Sequence, residues 1–211
     1  MISHLQYKYC STVLIYVQAL LRKYNMIRNY NFVILKYDIN KLMSCLPNLE
    51  SLHNPYGIVK HHVDNDNLNR MNDVLNLPLT IRHAGLFKLP PKSVGIIHTD
   101  FNIINPQYWH ATALNIGFGD VSKTYMSWYK QVDPSKTIYD YGHNKDGTPI
   151  IQPEDAIKIE RINVTTPHII RISDWHSIDN DSPIDTGYIL TLRFDTKYTY
   201  DDLVSLLIGP A

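Results

Sequence analysis

The chain is 211 residues long, with 20 Lys+Arg against 20 Asp+Glu, ten His and two Cys; 44% of its residues are hydrophobic and 19% charged. A chain of this length buries roughly 70% of the surface its unfolded form exposes, so a core can form without disulfides or a structural metal. The zero net charge removes the excess of Lys and Arg that bulk nucleic-acid binding demands, and Cys10 and Cys45 fit neither a C-x-x-C site nor a disulfide framework.

The first run, Ser11 to Leu21 (STVLIYVQALL), is too short to span a bilayer, which takes about 20 residues. With only Lys8 ahead of it and no small-x-small cleavage site, it is a poor signal peptide. Val13, Val17, Leu20 and Leu21 fall near a 3.6-residue period and predict an amphipathic helix. A second reading takes Met26 as the true start and residues 1–25 as an upstream extension. No membrane segment is expected, and the cysteine usage points to a cytoplasmic setting.

Residues 26–211 contain no repeat or Gly/Ser linker and read as one domain. Asn31 to Tyr37 (NFVILKY) predicts a strand, and Ile39 to Leu46 a short helix stopped by Pro47. The polar stretch Asn48 to Asn76 is expected at the surface, with one helix around Leu68 to Leu75. From Leu79 short β-rich runs recur between turn signals: LTIRHAGLFKL, SVGIIHTD, ATALNIGF, KTYMSWYK and, after Asp146-Gly147, AIKIERINV, PHIIRI and YILTLRF. This pattern predicts a sandwich or barrel with helices before it and one after it, Tyr200 to Ile208.

His98-Thr99-Asp100 end one of these runs. In a strand the side chains at i and i+2 share a face, so His98 and Asp100 point together while Thr99 points away. An imidazole and a carboxylate joined by a second histidine make the 2-His-1-carboxylate triad of non-haem Fe(II) oxygenases, which leaves metal positions open for substrates. The plainer reading is a strand end with two solvated polar groups.

PPKSVGIIHTD (Pro90 to Asp100), ATALNIGF (Ala111 to Phe118), TYMSWY (Thr124 to Tyr129), INVTTPHIIRI (Ile162 to Ile172), DWHSIDN (Asp174 to Asn180) and YILTLRF (Tyr188 to Phe194) follow one another in an informative order. In that order the chain resembles the 2-oxoglutarate- and Fe(II)-dependent dioxygenases, over roughly Leu79 to Phe194. The resemblance implies a mainly β fold with flanking helices, a double-stranded β-helix, also called a jelly roll or cupin-like barrel. It implies His98 and Asp100 as metal ligands, with the third ligand either His168 or His176. His176 is favoured, since it stands nearer Arg193 and is followed by Ser177 and a polar turn before the last strand. His168 shares a strand face with Ile170 and Ile172 and has a core reading of its own.

The resemblance also makes Arg193 the anchor of the cosubstrate carboxylate, a task for which a planar guanidinium is suited. Alternation places Ile189, Thr191 and Arg193 on one face of the last strand, so Thr191 could bind the same carboxylate. Asn115 and Tyr129 are candidate pocket residues, or satisfied core polar groups. Arg171 is a poorer anchor, and Trp128, Trp109 and Trp175 are expected to pack. His61, His62, His83, His110 and His143 are expected to be structural or solvated.

The activity so implied uses Fe(II), 2-oxoglutarate and dioxygen to hydroxylate a substrate the sequence does not identify, releasing succinate and CO2. A catalytically silent jelly-roll binding or structural protein is the alternative. A cupin-type isomerase, or a dioxygenase without 2-oxoglutarate, is a third reading. Neither substrate nor oligomeric state is legible. The Asn-, Ile-, Tyr- and Lys-rich composition suggests an AT-rich genome, viral or bacterial.

Overall fold

The backbone alternates between two six-stranded antiparallel sheets, and that alternation makes the double-stranded β-helix. The computed structural model describes residues 30–32, 38–46, 58–100, 112–140, 147–195 and 197–208. The chain divides into two units, Met1–Tyr30 and Asn31–Ala211; the expected helix at Ser11 to Leu21 lies outside the described residues, and the fold described is that of the second unit.

In chain order the strands are β1 (Tyr30–Phe32), β2 (Val59–His62), β3 (Ile81–Leu89), β4 (Ile97–His98), β5 (Thr112–Gly119) and β6 (Thr124–Gln131). After them come β7 (Ile138–Asp140), β8 (Thr148–Ile151), β9 (Ala156–Asn163), β10 (His168–Arg171), β11 (His176–Asn180) and β12 (Gly187–Phe194). One sheet has the order β1-β10-β5-β12-β3-β2 and the other β7-β8-β4-β11-β6-β9. Sequence neighbours β3 and β4, or β5 and β6, thus fall in opposite sheets. Among the described residues no helix is long and apolar enough to cross a membrane.

Among the described residues three α-helices accompany the strands: α1 (Ile39–Met43), α2 (Asn65–Leu75) and α3 (Tyr200–Ile208). Each begins at an oxygen that satisfies first-turn N–H groups. The Asp38 carboxylate accepts from the Asn40 and Lys41 N–H groups, and that of Asp64 from the Asn67 N–H. Thr199 and Asp202 bond each other reciprocally ahead of α3. Asn76 ends α2 in the left-handed conformation (φ 44°), which asparagine tolerates better than most residues. Asn72 ties α2 to the sheet, accepting from the Ile81 N–H at 2.7 Å.

Alternation along β12 sorts its side chains as the sequence predicts. Leu190, Leu192 and Phe194 turn to an apolar core that also takes Leu86 from β3, Leu114 and Ile116 from β5, Met71 and Leu75 from α2 and Leu203 from α3. Burying each such side chain stabilises the fold by about 1.5–3 kcal/mol. Ile189, Thr191 and Arg193 are left on the opposite face of the strand.

Two expectations change. The polar stretch before Asn76 contains β2 as well as α2, and α2 begins three residues earlier than Leu68. The polar turn expected after Ser177 begins as strand, because His176–Asn180 forms β11, which lies between β4 and β6.

Candidate metal centre

Short strand β4 is held against β11, with His98 directly opposite His176. Just upstream, Val94 bridges to Asp179, and this close approach requires Gly95, where a Cβ would stand 2.5 Å from the Ile178 carbonyl oxygen. Beyond β4 the chain stays extended, since the Thr99 N–H donates to Pro149 O and the Asp100 N–H to Ile172 O at 2.8 Å. His98 and Asp100 therefore share a face two residues apart, while Thr99 is buried on the other side.

The structure brings His98, Asp100 and His176 together, with one donor atom of each within 4.8 Å of the others. His98 Nε2 is 3.6 Å from Asp100 Oδ1, and the two imidazole centroids are 4.4 Å apart at an interplanar angle of 48°. His98 Nδ1 lies 3.0 Å from Ile96 O, and His176 Nδ1 lies 2.8 Å from Asp174 O. A carbonyl can only accept, so in the neutral imidazoles Nδ1 carries the proton and Nε2 keeps its lone pair. Both rings are thereby held by the carbonyl two residues upstream, with the Nε2 lone pair available to a metal.

Electrostatics favour the ligand forms. Desolvation pushes His176 down to about 4, helped by the neighbouring His98 charge and opposed by Asp100, so the ring is neutral at pH 7. Burial alone would raise the Asp100 carboxyl; Arg193, with smaller help from His98, His176 and Lys60, reverses this and holds it well below the usual carboxylate range. His168, the other candidate, is not part of the group. It sits on β10 opposite Asn115, is 1% exposed, and is likewise pushed down to about 4 by desolvation.

The trio opens onto a cavity of about 220 Å³. Ile170, Ile172, Met126 and Ile178 supply apolar wall, and Asn115, Thr191, Arg193 and Lys60 supply polar groups. Asn115 is the cross-strand partner of Thr191. Its Nδ2 reaches only Met126 Sδ at 3.7 Å, and its buried Oδ1 has no hydrogen-bond partner among the described residues. A buried amide so poorly satisfied calls for a polar guest.

Arg193 has a partner the sequence did not reveal, since its Nη2 donates to Asp100 Oδ2 at 2.6 Å. The guanidinium has five N–H donors, so this pair engages only part of it. Tyr129 does not line the cavity. Alternation from Met126 carries it to the opposite face of β6, where its hydroxyl lies 3.0 Å from Ser177 Oγ and Lys158 lies over its ring. Arg171 turns away too, with its guanidinium over Tyr200. Trp128 is fully buried and donates to Arg171 O. Trp109, His110 and His143 lie outside the described residues.

Lys60 is a cavity cation that sequence reasoning missed. It reaches the site only because β2 joins the sheet beside β3, a pairing with no local sequence signature.

No family model and no curated protein matches the chain. Among solved structures, the non-heme alpha ketoglutarate dependent epimerase SnoN from nogalamycin biosynthesis is 13% identical, covering 88% of this chain and 84% of its own, with a TM-score of 0.49. HygX from Streptomyces hygroscopicus is 10% identical over 85% of this chain and 87% of its own, with a TM-score of 0.43. An oxidoreductase of the 2OG-Fe(II) oxygenase family from Burkholderia pseudomallei is 11% identical over 74% and 76%, with a TM-score of 0.40. At these scores the likeness carries no functional argument, and the case for function stands on the site.

Proposed function

We propose that the chain is a non-haem Fe(II)- and 2-oxoglutarate-dependent oxygenase that hydroxylates a substrate yet to be identified. The observation that carries this reading is the convergence of His98, Asp100 and His176. Two imidazoles and one carboxylate suit Fe(II) and leave coordination positions open, and both Nδ1 atoms are already engaged by backbone carbonyls.

When bound, Fe(II) with 2-oxoglutarate supplies dioxygen activation, yielding succinate, CO2 and a hydroxylated substrate. The remaining work belongs to the chain. His98 and His176 offer Nε2, and Asp100 offers the oxygen not held by Arg193. Arg193, Thr191 and Asn115 are the groups for the carboxylates of 2-oxoglutarate, through charge-assisted and neutral hydrogen bonds. Ile170, Ile172 and Met126 exclude water from the reacting face.

The test is an anaerobic titration with Fe(II) and then 2-oxoglutarate, watched for the metal-to-ligand charge-transfer band. Aerobic conversion of 2-oxoglutarate to succinate is measured alongside. Both signals are expected to depend on Fe(II) and to vanish in Asp100→Ala. Succinate formation unchanged by that substitution would overturn the proposal.

A further inference from the structure

The anion-binding side of the cavity contains a second cation. Lys60 pairs with Phe87 across β2 and β3, and Phe87 pairs with Ile189 of β12; the next row is His62, Gly85 and Thr191. Paired residues share a sheet face, so Lys60 emerges on the cavity side, two strands from Thr191 and Arg193. Its stem crosses the intervening strand where there is no side chain. A Cβ on Gly85 would stand 3.2 Å from Lys60 Cε and 3.8 Å from Cγ, so glycine leaves the bed on which the lysine lies. Nζ stands 5.6 Å from the Phe87 ring centroid.

Although Lys60 as a whole is exposed, its ammonium end is enclosed enough for desolvation to lower its pKa. The Arg193 charge lowers it further and Asp100 opposes. Of the two acidic residues lining the cavity among the described residues, Asp100 and Asp140, Asp100 is the one that bears on Lys60, and it is already paired with Arg193 at 2.6 Å. Two cations thus face one carboxylate that is already engaged. A second carboxylate, brought by a ligand, would complete the charge balance on this side.

We propose that Lys60 is a second anchor for the distal carboxylate of the cosubstrate, so that the site selects a five-carbon 2-oxo diacid over a 2-oxo monoacid by two cations. The proposal rests on the cosubstrate reading above, and its test separates the two. The Fe(II)-loaded protein is titrated anaerobically with 2-oxoglutarate and with 2-oxobutanoate, which lacks the distal carboxylate. Calorimetry reports affinity and the charge-transfer band reports chelation.

Lys60→Met is expected to weaken 2-oxoglutarate by about 10- to 100-fold, the value of one charge-assisted hydrogen bond. It should leave 2-oxobutanoate within twofold of wild type, and Lys60→Arg should restore most of the loss. Equal weakening of both ligands would show a merely structural role and overturn the proposal, as would unchanged affinity for both. Wild-type protein that binds Fe(II) but not 2-oxoglutarate would overturn the cosubstrate reading itself, and this proposal with it. Lys60→Gln provides a second variant should the methionine protein fold poorly.

Discussion

Sheet β1-β10-β5-β12-β3-β2 is anchored from behind by the apolar core and the three α-helices, and among the described residues that core takes none from the other sheet. Its cavity face presents Asn115, Thr191, Arg193 and Lys60. In β7-β8-β4-β11-β6-β9, central strand β11 is held largely by polar side chains. Asp179 accepts from the Gly95 N–H and from Ser177 Oγ. The buried Asn180 amide donates to Leu89 O, Pro90 O and Asp185 O. This second sheet contributes His98 and His176, with Asp100 directly following β4. Proposed metal donors and proposed anion-binding groups therefore sit on opposite walls, one braced by hydrogen bonds and the other by hydrophobic packing. Changes behind the first wall should register as stability, and changes on the face of the second as metal affinity.

The largest expected effect breaks the second wall. His98→Ala removes a proposed donor that is only partly buried, so metal-free stability should move by no more than about 1 kcal/mol. Metal affinity, measured by competition with a chelator using Co(II) or Zn(II) as probe, should fall by about a thousandfold, or ~4 kcal/mol. Outer partners of metal ligands already cost roughly 10- to 100-fold, and a ligand should exceed them. The complementary change is Leu190→Ala behind the first wall. Leu190 is fully buried and lies between Leu86 and Ile116 on the adjacent strands. Its truncation should cost about 3 kcal/mol in urea unfolding while leaving the metal affinity of the folded protein intact. A metal-affinity loss in Leu190→Ala matching that of His98→Ala would erase the division between the walls.

What the sequence disclosed divides along the same line. Strands β3, β5, β6, β9, β10 and β12 carry recurring apolar residues, and hydrophobic pattern marks them. Strand β11, read as HSIDN, has one aliphatic residue in five, and its polar side chains draw part of their bonding from remote partners, Gly95, Tyr129, Leu89 and Pro90, which periodicity does not register. Strands β2, β7 and β8 are short, and β8 contains Pro149, which argues against a strand by propensity. At the site, His98 and Asp100 were legible because i and i+2 is a local relation, and His176 because of its order relative to Arg193. Lys60 was hidden, since its link to Thr191 passes through two strand pairings. Tyr129, read as either a pocket residue or a satisfied core polar group, lies off the cavity with its hydroxyl at Ser177 Oγ, the side that alternation from Met126 gives it.

The smallest effect distinguishes the two buried histidines. Desolvation pushes both His168, on the first sheet, and His176, on the second, down to about 4, but only His176 belongs to the donor group. An imidazole whose folded-state pKa lies below the ordinary 6.5 binds its proton less readily folded than unfolded. Its stabilisation is therefore complete above pH 6.5 and drains away as the pH falls toward 4. For His168 the loss between pH 7 and pH 4.5 amounts to about 2 kcal/mol. His168→Gln removes that titration, so metal-free urea unfolding at the two pH values should show an acid-induced loss smaller than wild type by about this amount. Whatever the variant costs at pH 7 cancels in the difference. His176 titrates in both proteins, and its contribution cancels too. Equal acid losses would mean that His168 protonates as easily folded as unfolded, contrary to its burial, and the contrast between His168, buried outside the proposed donor group, and His176, buried within it, would lose its first member.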